Sequence, residues 1–284
     1  MSRLSEQLLA GRFVVTAEIA PPKGIDVTET LAVAKRLEGM AAINVTDNQG
    51  ANMRLSASAL AALLAREQLE PVLQITCRDR NRMALQSDLL GAAAHGIENL
   101  LLLSGDHACF GDHPDARPVF DLDSVQLLQV VETLQRGVDM VGESLAGTPT
   151  FFPGAAVAPE AEPFELMFRK FEKKIEAGAR FFQTQAVFSP EKIERFMDEA
   201  RRYQTPVLAG VLLLKSARMA RFLNEHIPGV RVPEHLVERL DKAHKPQAEG
   251  VAIARDMIAM ARERCHGVHL MTLGREDLIP DLLS

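Results

Sequence analysis

Residues 162–214 read EPFELMFRKF EKKIEAGARF FQTQAVFSPE KIERFMDEAR RYQTPVLAGV LLL, and this stretch holds the alternation on which the fold depends. A helix-periodic segment over 162–177 ends at Ala177-Gly178-Ala179, and a short apolar and polar run, Phe181–Gln185, follows at once. Glycine is the residue that takes the left-handed conformation just past a helix, so Gly178 reads as a helix stop placed before a strand. Ser189-Pro190 is the opposite signal, an N-cap followed by proline at the first helical position, and it opens a helix over 189–203. Val207–Leu212 then supplies another strand. Helix, strand, helix, strand in about fifty residues is the spacing of βαβ units with a parallel sheet.

The same unit recurs in both directions. Strands are expected at Phe13–Glu18, Ala42–Thr46, Val72–Cys77, Asn99–Ser104, Thr148–Phe152, Phe181–Gln185, Val207–Leu212 and Val268–Thr272. Helices are expected near 27–38, 55–68, 80–94, 123–136, 162–177, 189–203, 215–226 and 246–264, with a short additional one near 233–243. His95-Gly96-Ile97 and His266-Gly267-Val268 repeat the glycine stop. Eight units closing on themselves give an α/β fold of the (β/α)8 TIM barrel type, a single domain over 1–284; an open doubly wound sheet is the competing geometry. No Gly-x-Gly-x-x-Gly follows a strand and no phosphate-binding P-loop pattern occurs, so a nicotinamide donor would have to bind in another way.

Composition narrows the function classes. The 284 residues are 47% hydrophobic and 25% charged, enough apolar side chain for a sizeable core. A net charge of -6 excludes the basic stripe of a nucleic-acid binder. No apolar run approaches the ~20 residues of a membrane span and no leader pattern opens the chain, so a cytoplasmic protein is expected. Cys77, Cys109 and Cys265 form no C-x-x-C pair. A disulfide framework or thiolate metal cluster is therefore unsupported, and an iron–sulfur carrier would have to come from a partner.

In a barrel the chemistry sits at the C-terminal ends of the strands. Those ends are polar here: Glu18, Thr46-Asp47-Asn48, Gln74-Ile75-Thr76, Ser104-Gly105-Asp106, Gln183-Thr184-Gln185 and Thr272 to Arg275. Such a face suits a planar heterocycle stacked on one side and hydrogen-bonded at its edges. Glu18, between apolar neighbours, reads as a general acid, or else as a strand-end carboxylate paired with an arginine. Asp106 reads as a ligand contact or an ordinary turn residue. Arg78, Arg80 and Arg82 read as a site for a phosphate or a polyglutamate tail, or as a solvated helix start. Lys170, Lys173 and Lys174 read as a charged helical face. His107, Cys109 and His113 match no common zinc spacing.

Six motifs stand in an order that resembles the methylenetetrahydrofolate reductase family: Thr-Ala-Glu-Ile-Ala-Pro-Pro (16–22), Asn-Val-Thr-Asp (44–47), Gln-Ile-Thr-Cys-Arg-Asp-Arg-Asn-Arg (74–82), Leu-Leu-Leu-Ser-Gly-Asp (101–106), Lys-Lys-Ile-Glu-Ala-Gly-Ala (173–179) with Thr-Gln (184–185), and Thr-Leu-Gly-Arg (272–275). The resemblance implies a (β/α)8 barrel with flavin, FAD or else FMN, at its C-terminal face. It implies Glu18 as the acid that protonates N10 of a tetrahydrofolate-type substrate, Asp106 beside both flavin and pterin, and Gln185 and Arg275 as substrate contacts. Thr46, Gln74, Ser104, Gly105 and Lys174 fall on flavin-contacting positions.

This chain also departs from that pattern. Gln74 and Ser104 stand where the family has a histidine and an arginine, Gly154 and Ala158 where a tyrosine and a histidine hold the dinucleotide, and Ala217 where a phenylalanine packs near substrate. The resemblance then points to the shorter reductases of anaerobic one-carbon pathways, with NAD(P)H or an iron–sulfur partner subunit as electron donor, and an oligomer is expected. Two other readings use the same residues: a pterin-binding barrel methyltransferase, and a folate-binding or docking subunit without catalysis.

Overall fold

The computed structural model describes residues 1–227 and 229–284. Eight parallel strands close in sequence order into a barrel: β1 Val14–Ile19, β2 Ala42–Val45, β3 Pro71–Thr76, β4 Asn99–Leu103, β5 Phe152–Val157, β6 Phe181–Ala186, β7 Val207–Leu212 and β8 Gly267–Met271. Closure is made by β1 on β8, with Val14 opposite Gly267 and Thr16 opposite His269. The (β/α)8 barrel expected from the alternation is therefore the fold, and the open sheet is excluded.

Around it run α1 Arg3–Leu9, α2 Thr28–Arg36, α3 Ala57–Arg66, α4 Arg82–Ala94, α5 Ser124–Gln135, α6 Phe164–Glu176, α7 Pro190–Ala200, α8 Ala217–His226, α9 Glu234–Lys242, α10 Pro246–Arg264 and α11 Ile279–Leu283. Helices such as α3, α5, α6 and α10 pack apolar side chains on the sheet, while α9 rests on α8 and α10. In α6 the buried positions Phe164, Met167, Phe168 and Phe171 follow the i, i+3, i+4, i+7 spacing of one helical face. Ile193, Phe196, Met197 and Ala200 repeat it in α7, whose start is capped by Ser189 with Pro190 in the first turn. The two stripes meet over β6, where the Phe171 and Phe182 rings lie 4.5 Å apart between centroids. Contacts of this kind add about 0.5–1.5 kcal/mol beyond their buried area.

Two readings of the sequence change. The fifth strand is Phe152–Val157, not Thr148–Phe152. Gly154 lies within the strand, and glycine is needed there because the Phe181 ring occupies the space a Cβ would take, its nearest carbon 2.3 Å from that position. Gly267 is also not a helix stop. Gly96 and Gly178 do take positive φ, +74° and +110°, whereas Gly267 opens β8, pressed against the backbone oxygen of Val14.

The two faces of the barrel wall differ. Outward residues such as Ile43, Leu73, Leu100, Phe182 and Val268 join the helices in the main core. Inside, Val14, Val72, Leu101, Phe181 and Leu208 form the floor together with Leu4 and Leu8 of α1, a helix the sequence reading did not anticipate. It plugs the N-terminal end of the barrel and leaves the C-terminal end open for a site.

Candidate active site

Polarity rises along the barrel axis, because side chains two residues apart on a strand point to the same face. Above the apolar floor the inward positions become Thr16, Asn44, Gln183 and His269, all buried, and above these stands Glu18, 7% exposed. Glu18 Oε1 accepts from Gln49 Nε2 at 3.0 Å, and Glu18 Oε2 lies 3.4 Å from His269 Nε2. The arginine partner considered for Glu18 is not there; its neighbours are an amide and an imidazole.

Gln49 lines a cavity of about 530 Å³ at the C-terminal ends of β2 to β6, within the usual range for a cofactor or drug-sized ligand. Gln74, Ser104, Gly105, Asp106, Ala158, Lys174 and Gln185 line it as well, so seven of the expected contact residues converge. Opposite the polar strand ends, Ala161, Pro163, Leu166 and Met167 form an apolar wall. An aromatic ring lying on that wall would meet hydrogen-bonding groups at its edge.

Arg78, Lys170 and Lys174 bring positive charge to this cavity, and Lys174 is set apart by its surroundings. Its Nζ donates to the Ala156 carbonyl at 2.7 Å, and among the described residues no carboxylate comes within ion-pair distance of it. Burial, helped by the neighbouring charge of Lys170, pushes the ammonium down to about 8, only partly offset by Asp123. A buried amine without a counter-charge is suited to an anionic ligand group. Thr46, at the end of β2, is also buried and its hydroxyl has no hydrogen-bond partner.

Four other sequence expectations land differently. Gly154 belongs to the lower barrel wall and does not line the cavity. Arg275 is held by Asp277 at 2.8 Å and by Gln247, away from the cavity lining. The Arg78, Arg80 and Arg82 cluster is consumed by protein carboxylates: Arg78 pairs with Asp79, Arg80 with Asp47 and Asp88, and Arg82 with Asp121. None of the three is free for a phosphate. Ala217 is buried at the start of α8 in an apolar cluster with Ala186, Phe188 and Leu212, so that position packs rather than faces a ligand.

Residues the sequence reading missed complete the site. Gln49 and His269 touch Glu18 directly. The signal for His269 lay in Val-His-Leu, a lone polar residue at an inward position of a strand. Asp112 ties three loops at the rim: it accepts from Lys23 Nζ at 2.6 Å, from the Met53 N–H at 2.9 Å, and pairs with His113 at 2.8 Å. Those bonds, Lys23 first, then His113 and Met53, hold its carboxyl well below the usual carboxylate range. The loop carrying Gln49 is thereby anchored next to Glu18.

Comparison with known proteins agrees with this geometry. A family model described as methylenetetrahydrofolate reductase matches residues 3–284. A 5,10-methylenetetrahydrofolate reductase of Pectobacterium carotovorum subsp. carotovorum is 28% identical over 282 residues, covering 95% of this chain and 89% of that protein. The enzyme of the same description from Escherichia coli (strain K12) is 24% identical over 279 residues, covering 94% and 88%. Among solved structures, a protein from Clostridium thermocellum described as binding two copies of 5-methyl-5,6,7,8-tetrahydrofolic acid superposes with a TM-score of 0.66 at 13% identity, covering 99% of this chain and 96% of that one. At that identity the likeness concerns the fold.

Proposed function

The chain belongs to the methylenetetrahydrofolate reductase family, and from that premise we propose that it reduces the one-carbon unit of 5,10-methylenetetrahydrofolate to the 5-methyl level, with Glu18 as general acid and a flavin, FAD or else FMN, in the cavity at the barrel mouth. The observation that carries the reading is the setting of Glu18: a buried carboxyl one side chain behind a ligand-sized cavity, with one oxygen on Gln49, which lines it, and the other facing His269. A carboxyl in such a place can give a proton to N10 of the folate, which opens the five-membered ring and leaves an electrophilic iminium at N5.

The residues present fit a flavin. The apolar wall of Pro163, Leu166 and Met167 would take the flat face of the ring, while Gln74 and Asp106 would bond its edge or that of the pterin. Lys174 would hold an anionic group, while Thr46, expected at a flavin contact, is buried beneath the cavity and does not line it. When bound, the flavin supplies the hydride. The protein's share is to orient the folate against it, with Gln185 at the cavity edge, and to deliver the proton. With no dinucleotide motif of its own, the chain would receive electrons from NAD(P)H or from an iron–sulfur partner through this same mouth.

The test is a purified protein reconstituted with FAD or FMN. Absorbance near ~450 nm, bleached by reductant, supports the flavin. A colourless protein that binds folate favours the methyltransferase or docking readings instead. Glu18→Gln should lower methyltetrahydrofolate formation, driven by a reduced dye, by about 10²-fold or more. Unchanged turnover removes Glu18 from the acid role.

A further inference from the structure

The polar belt inside the barrel continues well below the acid. Thr16, Asn44, Gln183 and His269, on β1, β2, β6 and β8, are each 4% exposed or less. Their hydrogen bonds form one chain. Asn44 Nδ2 donates to Gln183 Oε1 at 2.8 Å, and Gln183 Nε2 returns a bond to Asn44 Oδ1 at 3.2 Å, which fixes the orientation of both amides. The same Gln183 Nε2 points to Thr16 Oγ1 at 3.5 Å. An amide nitrogen only donates, so the Thr16 hydroxyl must send its own proton elsewhere. Two groups lie within reach of that proton, His269 Nδ1 at 3.0 Å and the Val268 carbonyl at 3.5 Å; the ring contact is the shorter, and the hydroxyl donates along it when Nδ1 carries no hydrogen. A ring nitrogen that accepts carries no proton, which leaves the hydrogen of a neutral imidazole on Nε2, the atom facing Glu18.

We propose that the Asn44–Gln183 amide pair is a positioning device for the acid: acting through Thr16, it fixes His269 as the Nε2–H tautomer and so turns a donor toward Glu18. The inference rests on the reading of Glu18 as the acid. When Glu18 gives up its proton, each carboxylate oxygen then has an N–H partner, Gln49 on one side and His269 on the other. Charge-assisted bonds of this type are roughly twice as strong as neutral ones, so they help most at the moment the charge appears. The two amides do not line the cavity and make no hydrogen bond to Glu18. Nor does the barrel need them for stability, since replacing both partners of a buried hydrogen bond by apolar groups of similar shape is close to neutral.

Two variants separate this role from packing. Thr16→Val keeps the side-chain shape and leaves the amide pair intact; the double variant Asn44→Leu with Gln183→Met removes both amides together. The readout is nitrogen-15 NMR of the imidazoles, with His269→Gln identifying the His269 signals, alongside dye-driven kinetics. The native protein should show a protonated Nε2 and an accepting Nδ1 at His269. Both variants should lose that single tautomer, with kcat down about tenfold or more and KM for folate within about twofold, the pattern for a contact felt in the transition state. Thr16→Ser should restore both. An unchanged Nε2–H tautomer in either folded variant overturns the proposal, and if the double variant does not fold, Thr16→Val decides alone. A shifted tautomer with unchanged kcat also overturns the positioning role, whereas the acid reading of Glu18 stands or falls with Glu18→Gln.

Discussion

The floor and the mouth of this barrel are made from the same eight strands by opposite rules. At the floor, Val14, Val72, Leu101, Phe181 and Leu208 meet Leu4 and Leu8 of α1 in a closed apolar cluster. At the mouth, the same strands, a few residues further on, present Glu18, Gln74, Gln185 and the ends of two loops. Depth along the axis thus separates stability from chemistry, as expected for this architecture. A substitution at the floor should be felt in folding and one at the mouth in binding.

The sharpest way to break that division is Phe181→Ala. Phe181 is fully buried and stacks on Phe152 with centroids 5.1 Å apart. Its loss should cost about 3–5 kcal/mol in chemical denaturation, with KM for folate little changed in the protein that remains folded. A large KM change would mean that floor and mouth are coupled.

Lys174→Met tests the mouth and carries the opposite sign. Burial lowers Lys174 from 10.5 to about 8, so between those values the unfolded chain binds more protons and stability rises with pH. Below about pH 8 the fold bears the full cost of a buried charge. Replacing Lys174 should therefore stabilise the empty protein at pH 7 by on the order of 1 kcal/mol, remove the pH 8 to 10.5 slope in thermal melts, and weaken flavin binding in a fluorescence titration. In the native protein the affinity for an anionic cofactor should fall as pH rises through about 8. A destabilised Lys174→Met variant would show that the mouth contributes to the fold after all.

The smallest effect is expected at Arg82→Ala. This exposed arginine is bound to Asp121 at 2.9 Å, and surface pairs in full solvent contribute little to stability. Stability and folate binding should both stay near native in denaturation and titration experiments. A marked loss of folate affinity would revive the phosphate or polyglutamate reading of the arginine cluster.

The sequence made the wall of the barrel legible because period-2 and period-3.6 patterns alternate cleanly from Phe13 to Thr272. Where it misled, a local signal met a distant partner. The fifth strand reads too early, at Thr148–Phe152, because Pro153-Gly154 interrupts the apolar run, whereas the Phe181 ring needs the space beside Gly154 within the strand. Gly267 reads as a helix stop until Val14 is found against it. The arginine cluster looked free because Asp47, Asp88 and Asp121 lie outside the motif in sequence and meet it only in three dimensions. Strand-end residues such as Gln74, Asp106 and Gln185 were visible because position on a strand gives position in the barrel. Gln49 and His269 were not, since one sits in a short 3₁₀ turn and the other lies two residues below the end of its strand.

The Asp112 clasp bears on how this scaffold could be rebuilt. One carboxylate joins the segments around Lys23, Met53 and His113, so the rim behaves as a three-part cassette. Grafting a foreign loop in place of the segment that carries Asp112 would orphan both Lys23 and the Met53 N–H and loosen the loop that carries Gln49. New specificity on this barrel is better sought by exchanging the three together, or by leaving them alone and redesigning the opposite wall at Leu166 and Met167.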